Sequence, residues 1–313
     1  MMAALREALR RADTRFMEPA PARRLAMLRI LVGLFATVFL VVRAPYLFDI
    51  SRLPAARFEP VGLLGWLQDP LPLWVVKTAV ALSVLGGVAT IAGWRYRVTG
   101  PLFAVGFLLV TTYDNSWQHV AHTENLASLH LIVLAIAPAA HALSLDERRA
   151  SRPPAAPDAR YGWPVRLMSL ITVLTYVIAG IAKQRNGGLD WITGDVLRNQ
   201  IANDNLRKIV LGDNYSPIGA RLVSHRWLFP PMALGTMIVE LGAPLVLLRG
   251  KVRTVMVSAM WLFHVAILGV MWIMFIYPLT LVAYASLLRP ERLADAIGAR
   301  VRARRMRPVS SAV

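Results

Sequence analysis

The sequence predicts an all-α, polytopic integral membrane helical bundle of about eight transmembrane helices, with an amphipathic helix in an outer loop. Three observations carry that reading. Hydrophobic residues make up 56% of the 313, only 17% are charged, and the mean hydropathy is +0.50. Long apolar runs recur along the chain, and a bilayer core of about 30 Å needs roughly 20 such residues per helical crossing. Basic residues alternate between the intervening loops in a way that defines two sides.

The spans follow in order. Leu25–Val42 is the first and Leu71–Ile91 the second. Gly100–Thr112 is the third, Leu126–Leu143 the fourth, Pro164–Ala182 the fifth and Pro231–Leu248 the sixth. Val255–Leu288 is too long for one crossing, and Pro278 predicts a break near Phe275–Pro278 that divides it into two. Helix is the expected form throughout, because lipid offers no partner to an unpaired backbone group. Residues 1–24 read as a basic amphipathic cytoplasmic N-terminus, 25–288 as the membrane domain and 289–313 as a basic cytoplasmic tail. Met1–Pro21 has no apolar stretch of its own and no small-residue cleavage site follows the first span, so that span is expected to remain as an anchor.

With the N-terminus inside, the inner segments hold 23 Lys and Arg against 8 Asp and Glu, and the outer loops hold 9 of each. This bias predicts a multi-pass protein of the cell membrane with both termini cytoplasmic. The net charge of +17 then reports orientation and contact with anionic lipid, not nucleic acid. The chain has no cysteine, which excludes disulfides, thiolate nucleophiles and cysteine-based metal sites.

Polar groups inside a membrane are costly, so each marks a candidate site. The first cluster runs from Tyr113 to Asn125 and includes Asn115, Trp117, His119, His122, Glu124 and Asn125. His119 and His122 are three apart and share a helical face with Asn125. A metal would need a third ligand there, such as Glu124 or Glu240, and no metal site is assigned. Capping, by Asp114 and Asn115, and an aromatic belt, by Trp117, are the plainer roles. The second cluster is Gly180-Ile181-Ala182-Lys183, followed by Gly187-Gly188-Leu189-Asp190-Trp191. A lysine at a helix end commonly snorkels to headgroups. In a less polar pocket, burial favours the neutral amine, a usable general base. The third is Glu240 with His264, on different spans, and the sequence leaves open whether either meets Lys183. In the outer loop Gln184–Leu228, Trp191, Val196, Leu197, Ile201, Leu206, Ile209 and Val210 recur at helical spacing, with Thr193 as the expected cap and Gly212 as the stop. The helix reads as a lid or as an interfacial anchor.

At these residues the chain resembles the horizontally transferred transmembrane (HTTM) family, which is similar to the membrane part of vitamin K-dependent γ-glutamyl carboxylase. The run Tyr176–Lys183, then Gly188-Leu189-Asp190-Trp191 and Gly194, is similar to that family's lysine motif. His122-Thr123-Glu124-Asn125 with Ala137-Pro138 and Ala142–Asp146, Arg226–Phe229 with Glu240-Leu241, and Phe263-His264 with Phe275–Pro278 resemble three further motifs in the same order. The resemblance implies Lys183 as general base toward a reduced, vitamin K hydroquinone-like quinone. The topology puts His119 and His122 at the same membrane face, and the polar clusters offer Asn115, Trp117, Glu124, Asn125, Trp191, Glu240 and His264 as expected ligand contacts. The implied activity is carboxylase- or epoxidase-like, and the expected partners are membrane lipids, a quinone-like or lipid-like ligand, and a protein or peptide. Three departures are visible: Ala182-Lys183 stands where the carboxylase has two lysines, its asparagine–histidine pair is replaced by His122-Thr123-Glu124-Asn125, and the sequence ends at Val313 without the large portion that follows the helices there. Quinone or lipid-linked chemistry is therefore expected ahead of glutamate carboxylation. The competing classes are a non-catalytic membrane partner or maturation factor and, less favoured for want of an inverted repeat, a transporter.

Overall fold

The structure, a computed structural model, describes residues 14, 16–117, 123–150 and 156–305. Among these residues the chain is helical, with one isolated bridge pairing Ala20 and Asp158 and no strand. It divides into two compact units. The first comprises Met1–Ala121, Ala127–Leu167 and Leu288–Val313, and the second comprises His122–Leu126 and Met168–Leu287.

The first unit is built on α1 (Ala22–Ile50), α2 (Leu73–Ala92) and α3 (Tyr96–Asn115), with α1 against α2 and α2 against α3. At about 1.5 Å per residue, α1 is longer than the bilayer core. It buries Leu25, Leu28, Val32, Ala36 and Leu40 at helical spacing, yet exposes Leu34, Val38, Val41 and Val42 on the other side. A helix that is apolar all round needs lipid outside as well as protein inside. Small residues let α2 and α3 approach: Gly87 lies against the Phe103 ring and Gly106 against Ser83. α2 stops at Gly93, whose φ of 63° suits glycine at a helix end.

A fully buried arginine fastens this end of the unit. Arg29 donates to the backbone carbonyls of Ala139 (2.9 Å), Ile91 (3.3 Å), Ala142 (3.4 Å) and Leu143. These are carbonyls that the ends of apolar segments would otherwise leave unpaired. Asp146, in the short helix α5 (Leu145–Ala150), accepts from the backbone N–H groups of Arg95 and Tyr96 at the start of α3. Between Asn115 and α5 lies α4 (Asn125–Ile136), whose first two residues belong to the second unit. The C-terminal helix, Pro290–Arg305, is tied to the start of α1 by Arg24–Glu291 and Arg23–Asp295 ion pairs, both 2.6 Å.

The second unit takes up α6 (Ala159–Ile192) from Met168 onward. It continues through α7 (Asp195–Val210), α8 (Pro217–Leu222), α9 (Phe229–Leu241), α10 (Lys251–Met271) and α11 (Ile276–Leu279), with 3₁₀ turns at Ala243–Leu247 and Val282–Leu287. Among the described residues four helices, α1, α2, α6 and α10, are long and apolar enough to cross a membrane, and α4 is a shorter apolar helix. The other expected spans differ for local reasons. The third has the length, but Arg97, Thr99, Asp114 and Asn115 dilute its ends. The sixth gives way after Leu241 to a 3₁₀ turn containing Pro244. The break in the long seventh run comes at Trp272, left-handed with φ 52°, a few residues before the expected Phe275–Pro278. Beyond it, Pro278 sits inside only one turn of helix.

Candidate functional site

The site grows from the end of α6. Gly180 on this helix faces α9, and a Cβ there would lie 2.8 Å from Leu241 Cδ2 and 3.1 Å from Glu240 Cβ. The missing side chain lets the two helices close up, as the small residues around Lys183 predict. One turn later Lys183 Nζ meets Glu240 Oε1 in an ion pair. The two ends of that pair differ. The Glu240 side chain is 3% exposed and the Lys183 side chain 23%. The second carboxylate oxygen of Glu240, Oε2, is buried without a hydrogen-bond partner among the described residues. Lys183 Nζ also lies 5.3 Å from the centre of the Trp191 ring and 5.5 Å from that of Phe263. An ammonium gains from the negative faces of such rings.

Trp191 comes after a break in α6. Gly188 has φ 54° and ψ −139°, a conformation open to glycine, so the chain changes direction between Lys183 and Trp191. The indole N–H donates to Thr236 Oγ1 on α9 at 3.3 Å, and the ring packs with Leu197, Ile201, Phe229, Ala233 and Met237.

A second polar group lies on α6 and α10. His264 Nδ1 is 3.0 Å from the Met260 carbonyl, a contact that Nδ1 satisfies only as a donor, which leaves the lone pair on Nε2. Tyr284 also donates to the Met260 carbonyl, at 3.2 Å, so Tyr176 is the donor in the 2.6 Å contact between the two tyrosine hydroxyls. Tyr176 OH lies 3.2 Å from His264 Nδ1. The rings of Phe263 and Phe275 each stand edge-on to the imidazole at 5.2 Å. Phe263 touches both Lys183 and His264, and so joins the two polar groups.

The question the sequence left open is thus answered for Glu240, which contacts Lys183 directly, and for His264, which reaches it through Phe263. Trp191 is also at the lysine. In the second unit, Thr123 donates to Glu124, and Asn125 is the first residue of α4. Asn115 and Trp117 belong to the first unit, where Trp117 is buried against Phe58 and Tyr113. His119 and His122 lie outside the described residues. Tyr284 is a site residue the sequence reading passed over, and Tyr176 and Phe263 entered it only as members of motifs, without a role. Tyr176 was accessible to it, since seven residues, two turns, separate it from Lys183 on one face.

The segment 184–228 differs from expectation in its fastening. Gly194, with φ 86°, caps α7, while the Thr193 hydroxyl turns back to the Asp190 carbonyl. Gly212, at φ 69°, falls just beyond the helix as anticipated. Leu197, Ile201, Asn205 and Lys208 form the buried face of α7, and Leu206, Ile209 and Val210 remain exposed. Three side chains of this segment cap three consecutive carbonyls at the end of α10. Ser216 Oγ donates to Gly269, Asn205 Nδ2 to Val270 at 3.1 Å, and Lys208 Nζ to Met271 at 2.6 Å.

Long apolar helices and a polar cluster held between them define a multi-pass helical membrane protein. The HTTM domain model matches residues 17–291, and the chain belongs to that family, related to the carboxylase membrane domain. No curated protein and no solved structure matches it.

Proposed function

We propose that the protein is a quinone- or lipid-linked membrane enzyme in which Lys183 acts as general base on an acidic ring hydroxyl. The observation that supports this most is the Lys183–Glu240 pair, flanked by the faces of Trp191 and Phe263 and carrying a buried carboxylate oxygen without a partner among the described residues. Such an oxygen is costly unless a donor reaches it, and flat aromatic walls suit a ring. The residues therefore fit a reduced quinone. Trp191 and Phe263 would hold the ring, Lys183 would take the hydroxyl proton, and His264 Nε2 offers an acceptor on the neighbouring helix. A reduced quinone supplies a reactive oxyanion once its hydroxyl proton has been removed. In this reading the chain crosses the membrane eight times, with both termini cytoplasmic and Lys183 toward the outer face. The basic excess of the inner segments supports that orientation.

Arginine stays protonated at any pH the protein tolerates. Lys183→Arg is therefore expected to keep the fold and the ligand but lose function, and Lys183→Ala to lose function with partial rescue by small amines. Mass spectrometry of co-purifying lipids, beside a cellular phenotype at matched abundance, checks both. Wild-type function from Lys183→Arg would reduce the lysine to a fixed positive charge and end the base assignment.

A further inference from the structure

The pair poses a problem for a lysine base. An ammonium has three donors and no lone pair, so Lys183 in contact with an ionised carboxylate has nowhere to put a ligand's proton. Glu240 Oε1 is the acceptor in contact with its nitrogen. The Glu240 side chain is only 3% exposed, and its other oxygen has no partner among the described residues.

We propose that Glu240 is the proton acceptor behind Lys183. The lysine passes its own proton to the carboxylate as it takes the proton of a bound ring hydroxyl, so the pair absorbs one proton and keeps it. This rests on the hydroxyl-ligand reading above and assigns its proton path. Before transfer the site holds an ammonium, a carboxylate and a neutral hydroxyl. Afterwards it holds an ammonium, a carboxylic acid and an oxyanion. One N–H bond breaks and one forms, the ligand's O–H bond breaks, and an O–H bond forms on Glu240. Net charge is unchanged, so no ion enters or leaves a poorly solvated region, where an unpaired charge is costly. The oxyanion ends beside an ammonium whose former counter-ion has been neutralised, and the attraction between them is strengthened accordingly. Glu240 acts through Lys183 and is a positioning residue in this scheme.

The test follows the proton instead of turnover. A nitrophenol serves as the probe, since its ionised form absorbs at longer wavelength than its neutral form. It is titrated into the detergent-purified protein, in weak buffer below the probe's own ionisation range. A pH indicator counts the protons released per probe bound. The wild type is expected to bind the probe ionised and release no proton. Glu240→Gln removes the acceptor but keeps the side-chain shape, and is expected either to bind the probe neutral or to release one proton for each ionised probe. Glu240→Asp, which restores a carboxylate, should return toward wild-type behaviour and guards against a folding defect in the glutamine variant. One proton released per ionised probe by the wild type overturns the relay while leaving a hydroxyl site in place. So does Glu240→Gln binding the ionised probe without release. Binding of the neutral probe by the wild type overturns both the relay and the base. No binding by the wild type overturns the hydroxyl-ligand reading itself.

Discussion

Removing Lys183 and Glu240 singly and together gives the sharpest test of the site's geometry. Lys183→Met strips the Glu240 carboxylate of the contact that holds Oε1 and leaves both its oxygens unpaired in a side chain only 3% exposed. Breaking a buried pair from one side costs about 3–5 kcal/mol, and because the Lys183 end of this pair is 23% exposed, the variant falls in the lower half of that range, about 3–4 kcal/mol. Glu240→Gln strands the ammonium instead. Its side chain is 23% exposed and lies over two rings, each contributing roughly 0.5–2 kcal/mol. A cost of about 1–2 kcal/mol follows after that compensation. The double variant contains no stranded charge and should lie within about 1–2 kcal/mol of wild type. The single effects would sum to roughly 5 kcal/mol, so the coupling is about 3 kcal/mol, or two decades in the folding equilibrium. Unfolding of all four proteins in the same detergent, by heat or by titration with a denaturing detergent, measures it. The key outcome is that adding Glu240→Gln to Lys183→Met raises stability. Additivity within about 0.5 kcal/mol would show that the two groups do not interact, and the site as described would fall.

Two further predictions concern the frame and its orientation. Arg29→Met should cost about 3 kcal/mol, since it unpairs up to four carbonyls, two of them in buried hydrogen bonds, while also removing a buried charge; the yield and melting of monodisperse protein report it, and a wild-type melt would show that these carbonyls find other partners. Asn214→Cys places a single thiol on an exposed turn of a chain that has no other cysteine, and an impermeant maleimide should label it from outside intact cells. Labelling only after permeabilisation would reverse the topology. Asn205 is unsuited to that role, because it is 2% exposed and caps Val270.

The sequence was most informative where a single physical requirement dominates. Apolar length marked α1, α2, α6 and α10, because a membrane helix must be apolar over a fixed distance. Lys183, Glu240 and His264 stood out for a related reason: an ionisable group is expensive at that depth, so each one is conspicuous. Their pairing was not legible. It depends on Gly180 admitting α9, and that glycine could have served flexibility alone. Tyr284 was hidden further, since it lies on a 3₁₀ turn after the Trp272 break, where neither helical spacing nor charge points to it. The later spans answer to a second requirement besides apolar length. Hydropathy counts apolar residues but is blind to Pro244 or a left-handed Trp272, which end a helix without ending the apolar run.

The lid reading of α7 depends on what lifting it would break. Ser216, Asn205 and Lys208 cap the carbonyls of Gly269, Val270 and Met271, and Leu197 and Ile201 are buried with Trp191. Each carbonyl stripped of its donor in an apolar setting costs about 1–3 kcal/mol, so opening requires at least roughly 3 kcal/mol before the apolar contacts are counted. That alone holds an open form below about 1% of molecules. The same α10 whose end is clamped carries Phe263 and His264, and the same cluster that buries Leu197 fixes the Trp191 ring against Lys183. Opening the segment would therefore release two walls of the site together. α7 is a strut that sets the distance between those walls, and its exposed Leu206, Ile209 and Val210 are free to rest in the membrane interface while it does so.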